Sequence, residues 1–419
     1  MTPTIARRAF LRGSAAAVCA VALPKLASGD GLGEIGESFD AEMLAFMQPR
    51  QIPGGALAVV RNGRLMYAKG YGLADRQEHT PVTNESLFRI ASISKPITAV
   101  ALLQLVENGR VALDTCAFEL LGCDLGKAAD PRLANITISH LLHHTGGWNL
   151  EKAFDPMFRP IKIARVLDLP PPAKADAVIQ YMLGQKLQTD PGSAFAYSNF
   201  GYCVLGRVIE KITGEPYEKY VREKVLAPAG ITDMRIGGTL RDRRAAHEVS
   251  YYTTEDDMAQ NVFDPGGAKV PTAYGGFHLE AMDSHGGWIA TATDLVRFAA
   301  ALDSPAQSRL LRPESFATLY APPAAPVSRE ANGALAARYY ACGWSVRPVG
   351  TDGRANYWHT GSLPGTATLL VRRHDGLSWA ACFNQRSEDT KLPDSAIDPA
   401  LHRAADRVKT WPEGAALVV

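Results

Sequence analysis

The chain is organised around one stretch, Phe88-Arg89-Ile90-Ala91-Ser92-Ile93-Ser94-Lys95-Pro96, and the apolar segment 96–108 that follows it. The segment is apolar on nearly every face and is followed by Gly109, which is typical of a buried helix with a C-terminal glycine. Lys95 follows Ser92 by three residues, about one helical turn, so its amine can reach the serine hydroxyl. Because a lysine in a water-poor pocket can have its pKa lowered enough to activate a serine, the stretch predicts a nucleophile, Ser92, with a base, Lys95.

Ser-x-x-Lys is a weak pattern by itself, and its placement strengthens it. A lysine at the start of an almost wholly apolar helix would be costly to bury without a role. The N-terminus of that helix also offers free N–H groups that can stabilise an oxyanion. The alternative is that Ser92 only caps the helix and Lys95 points to solvent.

Strand patterns lie towards both ends of the chain. Residues 56–61 and 64–68 flank Asn62-Gly63, a strong signal for a two-residue hairpin. Further strands are predicted at 339–346, 357–359, 366–373 and 377–383. The sheet is expected to be antiparallel and to draw on both ends.

Helical patterns fill the middle of the chain and one stretch near its end. They are predicted at 138–143, 175–187, 201–212, 217–226, 293–301 and 399–411, whereas 156–172 and 251–274 are expected to be long loops. The fold class is therefore α/β (α+β), an antiparallel sheet flanked by helices with an inserted mainly helical lobe. We expect a catalytic domain at 35–415, with an α/β lobe at about 35–115 and 285–415 and a helical lobe at about 116–284.

A second candidate site is Phe195-Ala196-Tyr197-Ser198-Asn199, followed by an apolar helix. A tyrosine between two cations can become a phenolate or relay a proton, and an amide two residues on can hold a substrate amide oxygen. The alternative is that Tyr197 is one of 14 tyrosines and Asn199 is a helix cap.

A third candidate site is Trp358-His359-Thr360-Gly361-Ser362 on a late strand. Alternation puts His359 and Gly361 on one face, and the missing side chain of Gly361 is expected to let a substrate lie close. The backbone N–H of Ser362 can supply a second oxyanion donor beside that of Ser92. The alternative is an ordinary strand end with a glycine.

Composition excludes several classes of partner. The 419 residues include 44 basic and 43 acidic side chains, a net charge of +1, so no global field attracts nucleic acid or an anionic membrane. Of the six cysteines, Cys19 lies in the N-terminal segment described next, and an odd number remains. A Cys116–Cys123 bridge stays open, since spacing alone does not show that the Cβ atoms meet.

The first residues predict export. Arg7-Arg8 and Phe10-Leu11 precede a short apolar stretch, 13–23, that contains the cleavage-like Ala20-Val21-Ala22. Residues 1–28 are therefore interpreted as a twin-arginine-type signal peptide, and the mature protein is expected to be periplasmic or secreted. No later segment is long and apolar enough to span a membrane, so no stable span is expected after signal removal.

The order and separation of the three candidate sites resemble the signature of serine β-lactamases and penicillin-binding proteins, in particular the class C-like branch with its DD-peptidases, D-aminopeptidases and esterases. Stretches 136–147 and 286–295 also resemble that branch, so the likeness covers roughly residues 50–390. The resemblance implies that Ser92 is acylated, that Lys95 is its base and that Tyr197 passes the proton to the leaving atom. It further implies that Asn199 orients the acyl amide, that His359, Thr360 and the Ser362 amide line the opposite strand, and that no metal or organic cofactor is needed.

His359 departs from the pattern of that branch. Its β-lactamases usually carry lysine there, whereas a histidine with an unperturbed pKa is largely neutral at pH 7. Efficient β-lactam hydrolysis is therefore not expected. His140, His143 and His144 have helical spacing that could suit a metal, but no glutamate of an H-E-x-x-H motif lies between them, and we predict no metal site.

These patterns together predict a serine hydrolase that forms an acyl-enzyme with a small amide, a D-amino-acid peptide or an ester. Its partner is then a small-molecule or peptide substrate, and the sequence leaves the oligomeric state open. Two alternatives remain, a β-lactamase and a non-catalytic protein that binds cell-wall peptide.

Overall fold

The computed structural model describes residues 30–127 and 129–416. The first part of the chain forms α1 (Asp30–Met47), β1 (Gly54–Arg61), β2 (Arg64–Asp75), β3 (Thr80–Pro81), β4 (Phe88–Arg89) and α2 (Ser94–Glu107). The middle forms α3 (Ala117–Leu121), α4 (Ile138–Leu142), α5 (Pro160–Val166), α6 (Ala175–Leu183), α7 (Asn199–Thr213), α8 (Tyr217–Val221), β5 (Arg235–Ile236), β6 (Met258–Asn261) and β7 (Asp264–Pro271). The last part forms β8 (Trp288–Ala290), α9 (Ala292–Ala300), α10 (Pro313–Leu319), β9 (Tyr339–Tyr340), β10 (Ser345–Val349), β11 (Arg354–Leu363), β12 (Thr366–Arg372), β13 (Leu377–Phe383), α11 (Ile397–Arg407) and β14 (Ala415–Ala416).

The main sheet joins both ends of the chain, as the sequence predicts. Its strand order is β14-β2-β1-β13-β12-β11-β10-β9, with β3 paired to β2. Neighbouring strands run antiparallel, and the register from Gly55↔Phe383 to Arg61↔Leu377 places β1 beside β13. The chain is therefore of the mixed α/β class, with an antiparallel sheet and helices.

Alternation along the strands gives the sheet two buried faces. In β1, Ala56, Ala58 and Val60 belong to the large core that includes α2 and α9, whereas Leu57 and Val59 pack with α1 and α11. Successive side chains point to opposite faces of a strand, so a central strand covered on both sides is apolar at nearly every position. The near-continuous hydrophobic runs in β1, β12 and β13 follow from this arrangement.

Helix α2 is buried on every side and lies at the centre of the molecule. Its residues from Ser94 to Leu103 are all buried, and α7, α8 and α10 pack against it. A helix with no polar face needs neighbours all round, and α2 has them. Its first turn is consequently held rigidly where it reaches the cavity described below.

Two local predictions were wrong, and one helix was missed. The stretch 156–172 contains a 3₁₀ turn, Pro156–Phe158, and helix α5, because both prolines stand at helix N-termini, where proline is favoured. The stretch 251–274 contains the β6–β7 hairpin, whose largely exposed residues carry no apolar alternation. Helix α1 was not predicted, although Ile35, Phe39 and Met43 recur every four residues and pack against the sheet.

The remaining predictions have mixed outcomes. Cys116 and Cys123 are both free thiols. The proposed signal peptide, residues 1–28, lies outside the described residues. Among the helices that are described, none is long and apolar enough to cross a membrane. The division into two lobes stays a prediction.

Candidate active site

Ser92 lies just before the N-terminus of helix α2, in a 3₁₀ turn formed by Ala91–Ile93. Ala91 has a φ of 47°, a left-handed conformation that is strained for a residue with a Cβ. The Ser94 hydroxyl donates a 2.7 Å hydrogen bond to the Ala91 carbonyl and braces this turn. The turn delivers the half-buried Ser92 to the wall of a cavity of about 710 Å³.

Lys95 is fully buried below Ser92, so the alternative in which it points to solvent is wrong. Its Nζ lies 3.0 Å from Ser92 Oγ, 2.8 Å from Asn199 Oδ1 and 3.0 Å from the His285 carbonyl oxygen. Burial holds the pKa of Lys95 well below its ordinary value, and the nearby Asp155 carboxylate only partly opposes this. An amine with a lowered pKa beside a hydroxyl can take its proton.

Tyr197 lines the same cavity as Ser92, and its hydroxyl interacts with that of Ser92. Its ring centroid is 4.7 Å from Lys95 Nζ. Burial raises the pKa of the Tyr197 phenol, and the hydrogen bond with Ser92 offsets only part of that rise. The phenol is therefore protonated at neutral pH and is suited to relaying a proton. Burial lowers the pKa of both Lys95 and His359, so the arrangement of a tyrosine between two cations is not found.

His359 lies on β11 and is buried, with 5% of its surface exposed. Its Nδ1 donates a 2.6 Å hydrogen bond to the Thr360 carbonyl, which leaves Nε2 to accept from the Tyr340 hydroxyl at 2.9 Å. Burial, with a smaller contribution from the charge of Lys95, lowers the pKa of His359 to about 3. Both ring nitrogens are used and the ring is neutral, so His359 does not offer a fixed charge to a substrate.

Gly361 corrects one expectation from the sequence. A Cβ there would overlap the Ile90 carbonyl oxygen and the Thr368 hydroxyl, and would come within 3.1 Å of the Ala91 Cβ. The space left by the missing side chain is therefore filled by the chain segment that carries Ser92, and the expectation that a substrate uses it was wrong. Thr360 and Ser362 lie on the other face of β11 and line the cavity, as does His359.

The Ser362 amide faces the cavity side of β11. Beyond Trp358, strand β11 pairs only with β12, so its other edge is open. Leu363 and Thr366 are partners that close a two-residue turn. The residues that close such a hairpin exchange hydrogen bonds, so Ser362↔Ala367 is expected to be the next, non-hydrogen-bonded pair. The N–H of Ser362 is consequently expected to point to the open edge of β11, the strand that the Ala91–Ile93 turn contacts.

Asn199 begins helix α7, whose N-cap is Ser198 and not Asn199. The Ser198 Oγ accepts a 3.1 Å hydrogen bond from the Gly201 amide. Asn199 is thereby left to contact Lys95 through Oδ1 and to donate from Nδ2 to Asp155 at 2.6 Å. The first two candidate motifs thus meet through one amide.

Sequence reasoning missed the group behind that amide, Asp155, together with the His285 carbonyl. The signal for Asp155 was its place before Pro156, which is typical of a helix N-cap and carries no functional information. Tyr340, the partner of His359, was also missed. It belongs to a two-residue strand and has no motif around it.

The three adjacent histidines have structural contacts. His140 completes a capping box with Thr137, and His143 Nδ1 donates to the Ser139 carbonyl at 2.9 Å. His144 Nδ1 accepts from the Ser198 amide at 3.1 Å, and its ring centroid lies 4.3 Å from that of Tyr197. In the described part of the chain, no group of three potential ligands is arranged to hold a metal ion.

The site has a buried lysine beside a serine at the start of a central helix, and strand β11 with its neutral His359 lines the same cavity. This arrangement is that of a serine hydrolase of the β-lactamase and penicillin-binding-protein type. The chain belongs to the Beta-lactamase family, whose family model matches residues 39–402.

Among curated proteins, the chain resembles Esterase EstB of Burkholderia gladioli, with 35% identity over 197 residues, 46% of this chain and 50% of the esterase. The match thus spans half the length of that esterase. It also resembles penicillin-binding protein 4* of Bacillus subtilis (strain 168), with 25% identity over 349 residues, 83% of this chain and 71% of that protein.

Among solved structures, the D-amino acid amidase from Ochrobactrum anthropi SV3 has a TM-score of 0.67 and 22% identity, covering 91% of this chain and 99% of the amidase. A penicillin-binding protein homologue from Pyrococcus abyssi, described as octameric, has a TM-score of 0.67 and 21% identity, covering 87% of this chain and 77% of that one. At these identities the likeness shows the fold alone.

Proposed function

We propose that this hydrolase cleaves a small ester or amide, including D-amino-acid peptides, through an acyl-enzyme on Ser92. The observation that carries the proposal is the 3.0 Å contact between Ser92 Oγ and the fully buried amine of Lys95. Both relatives named for an activity, an esterase and a D-amino acid amidase, have chemistry that fits such a step.

The acylation step uses the groups around Ser92 as follows. Neutral Lys95 takes the Ser92 proton while Oγ attacks the substrate carbonyl carbon, and the oxyanion is held by the N–H groups of Ser92 and Ser362. The tetrahedral intermediate collapses as Tyr197 donates its proton to the leaving oxygen or nitrogen, and the proton on Lys95 replaces it. Water then attacks the acyl carbon, with the same groups taking its proton and returning one to Ser92 Oγ.

The walls of the cavity favour a substrate with an apolar body. Phe158, Phe195 and Trp358 line it, and Arg338 at its edge is the only side chain with a fixed charge among its lining residues. A β-lactamase role has less support, because the neutral His359 cannot replace a fixed charge that would hold a β-lactam carboxylate. A non-catalytic binding role has less support still, because it does not explain why a lysine is buried beside Ser92 at a cost in free energy.

We further propose that residues 1–28 direct twin-arginine export and that the mature enzyme works in the periplasm or outside the cell. We retain the two-lobe division at about 116 and 285. The residues that line the cavity support this division, because Tyr197 belongs to the range 116–284, whereas Ser92 and Thr360 belong to the two flanking ranges.

Replacement of Ser92 by Ala tests the proposal. Wild type, Ser92→Ala and the exposed control Ser193→Ala are mixed with p-nitrophenyl acetate, a D-alanine anilide or benzylpenicillin, and the intact mass is followed over time. We expect turnover or a covalent adduct with wild type and Ser193→Ala and neither with Ser92→Ala. Retained turnover in Ser92→Ala would contradict the proposal. Rapid hydrolysis of benzylpenicillin by the wild-type enzyme would favour the β-lactamase role instead.

A further inference from the structure

Asp155 lies behind Asn199, outside the three motifs and outside the residues that line the cavity. Its Oδ1 accepts a 3.0 Å hydrogen bond from the Met157 amide, and its Oδ2 accepts from Asn199 Nδ2 at 2.6 Å. Resting on the function proposed above, we propose that Asp155 is a positioning residue: it fixes the Asn199 amide so that Oδ1 faces Lys95 and one position on the lysine amine stays free for the Ser92 proton.

The contacts of Lys95 make the direction of the Asn199 amide decisive. A neutral amine has two N–H groups and one lone pair, whereas the charged form has three N–H groups and no lone pair. Two of the three neighbours of Nζ, Asn199 Oδ1 and the His285 carbonyl, can only accept hydrogen bonds. They take both N–H groups of the neutral amine, and the lone pair is then directed to the third neighbour, the Ser92 hydroxyl.

A reversed Asn199 amide would undo this arrangement. Its NH₂ group would face Lys95 and would compete with Ser92 for the lone pair of the neutral amine. A carboxylate only accepts hydrogen bonds, so Asp155 requires Nδ2 on its side and Oδ1 on the lysine side. The Met157 amide in turn holds the carboxylate, since Asp155 is the N-cap of the Pro156–Phe158 turn.

Asp155 also supplies the one opposing charge that acts on Lys95 among the described residues; burial raises the pKa of its carboxyl, and the hydrogen bonds from Asn199 and Met157 oppose that rise and favour the charged form. The other titratable groups packed around the amine are neutral near pH 7: burial lowers the pKa of three imidazoles and raises the pKa of two phenols, and these are His144, His285, His359, Tyr197 and Tyr202. Loss of the Asp155 charge must therefore lower the pKa of Lys95 further. Since Lys95 acts in its neutral form, the acid limb of kcat/KM then moves to lower pH.

Two substitutions separate positioning from folding. Asp155→Asn has a single oxygen, so if that oxygen accepts from the Met157 amide, its NH₂ group faces Asn199 and no longer fixes the direction of the Asn199 amide. Asp155→Ser keeps an N-cap oxygen and is too short to reach Asn199. The matched control is Asp130→Asn, because Asp130 also caps a 3₁₀ turn before a proline and does not act on Lys95.

The experiment measures kcat/KM for p-nitrophenyl acetate from pH 4 to 9, with intact mass confirming acylation at Ser92 in wild type. We expect both Asp155 variants to lose roughly 10- to 100-fold in kcat/KM, the effect of a hydrogen bond to a charged group, and their acid limb to move down by about one pH unit. Asp130→Asn should lower Tm and leave the limb in place.

Two outcomes would overturn the inference. One is an acid limb that stays in place in both Asp155 variants while Tm is normal. The other, seen when the same variants are assayed with a D-alanine anilide, is a loss confined to that substrate and absent with p-nitrophenyl acetate, because Asp155 would then contact the free α-amino group of the substrate. Failure of the proposed function is a separate result, since it shows as turnover by Ser92→Ala whatever happens at Asp155.

Discussion

Gly361→Ala gives a sharp test of how the strand β11 supports the serine. The added Cβ would overlap the Ile90 carbonyl oxygen and the Thr368 hydroxyl. These two groups are joined by a 3.0 Å hydrogen bond, and Ile90 is followed by the strained Ala91 and by Ser92. Gly361 does not have a positive φ, so the effect of the substitution is steric and not conformational.

The size of the effect follows from two contributions. Overpacking a well-packed interior costs about 1–3 kcal/mol, and loss of the buried hydrogen bond between Thr368 and Ile90 costs about 1 kcal/mol. The free energy of unfolding should therefore fall by about 2–4 kcal/mol, which lowers Tm by roughly 2–5 °C in a chain of this length. Because the Ile90 carbonyl must move, kcat should fall as well.

Thermal and urea unfolding followed by circular dichroism measure the loss, and p-nitrophenyl acetate hydrolysis measures kcat and KM. Gly266→Ala is the matched control, an exposed strand glycine in β7 with open space where the Cβ would lie. We expect it to stay within about 0.5 kcal/mol of wild type. An unchanged Tm with a raised KM in Gly361→Ala would refute the steric explanation and would show that a substrate occupies the space.

Two further predictions concern charge. Burial lowers the pKa of five buried imidazoles, so unfolding takes up protons as the pH falls below about 6.5; the free energy of unfolding from urea titrations should fall between pH 7 and pH 5 by up to about 2 kcal/mol per group, and an unchanged value in wild type would contradict this. The five are His143, His144, His278, His285 and His359. The exposed control His79→Asn should leave that drop unaltered. Arg338→Gln should lower kcat/KM up to about fivefold for an ester with a carboxylate in its leaving group and leave the matching methyl ester unaffected; equal losses for both would contradict an ionic contact.

The local patterns of the sequence were sufficient for the sheet and for the central helix. The Asn62-Gly63 turn, the apolar run of α2 and the late strands each report on neighbours within a few residues. The predictions that failed lacked such a pattern. The β6–β7 hairpin is largely exposed and shows no alternation, and the prolines at 156 and 160 suggest a loop although they also begin helices.

Gly361 shows where a local pattern is correct and its explanation is wrong. Alternation correctly places Gly361 on the face opposite to Thr360, but it cannot tell whether that face meets a substrate or another part of the chain. The contact that decides it joins residues 90 and 361, which are far apart in sequence.

By itself, the sequence determined the class of the protein, the membership of both strand clusters in one antiparallel sheet, and the nomination of Ser92 and Lys95. These depend on spacing along one element, which a linear pattern records. Only the tertiary structure decided that Lys95 is buried, that both ring nitrogens of His359 are taken up by hydrogen bonds inside the protein, and that Asp155 lies behind Asn199. Each of these depends on which distant segments exclude water from a group or lend it a hydrogen bond, and packing between elements sets that.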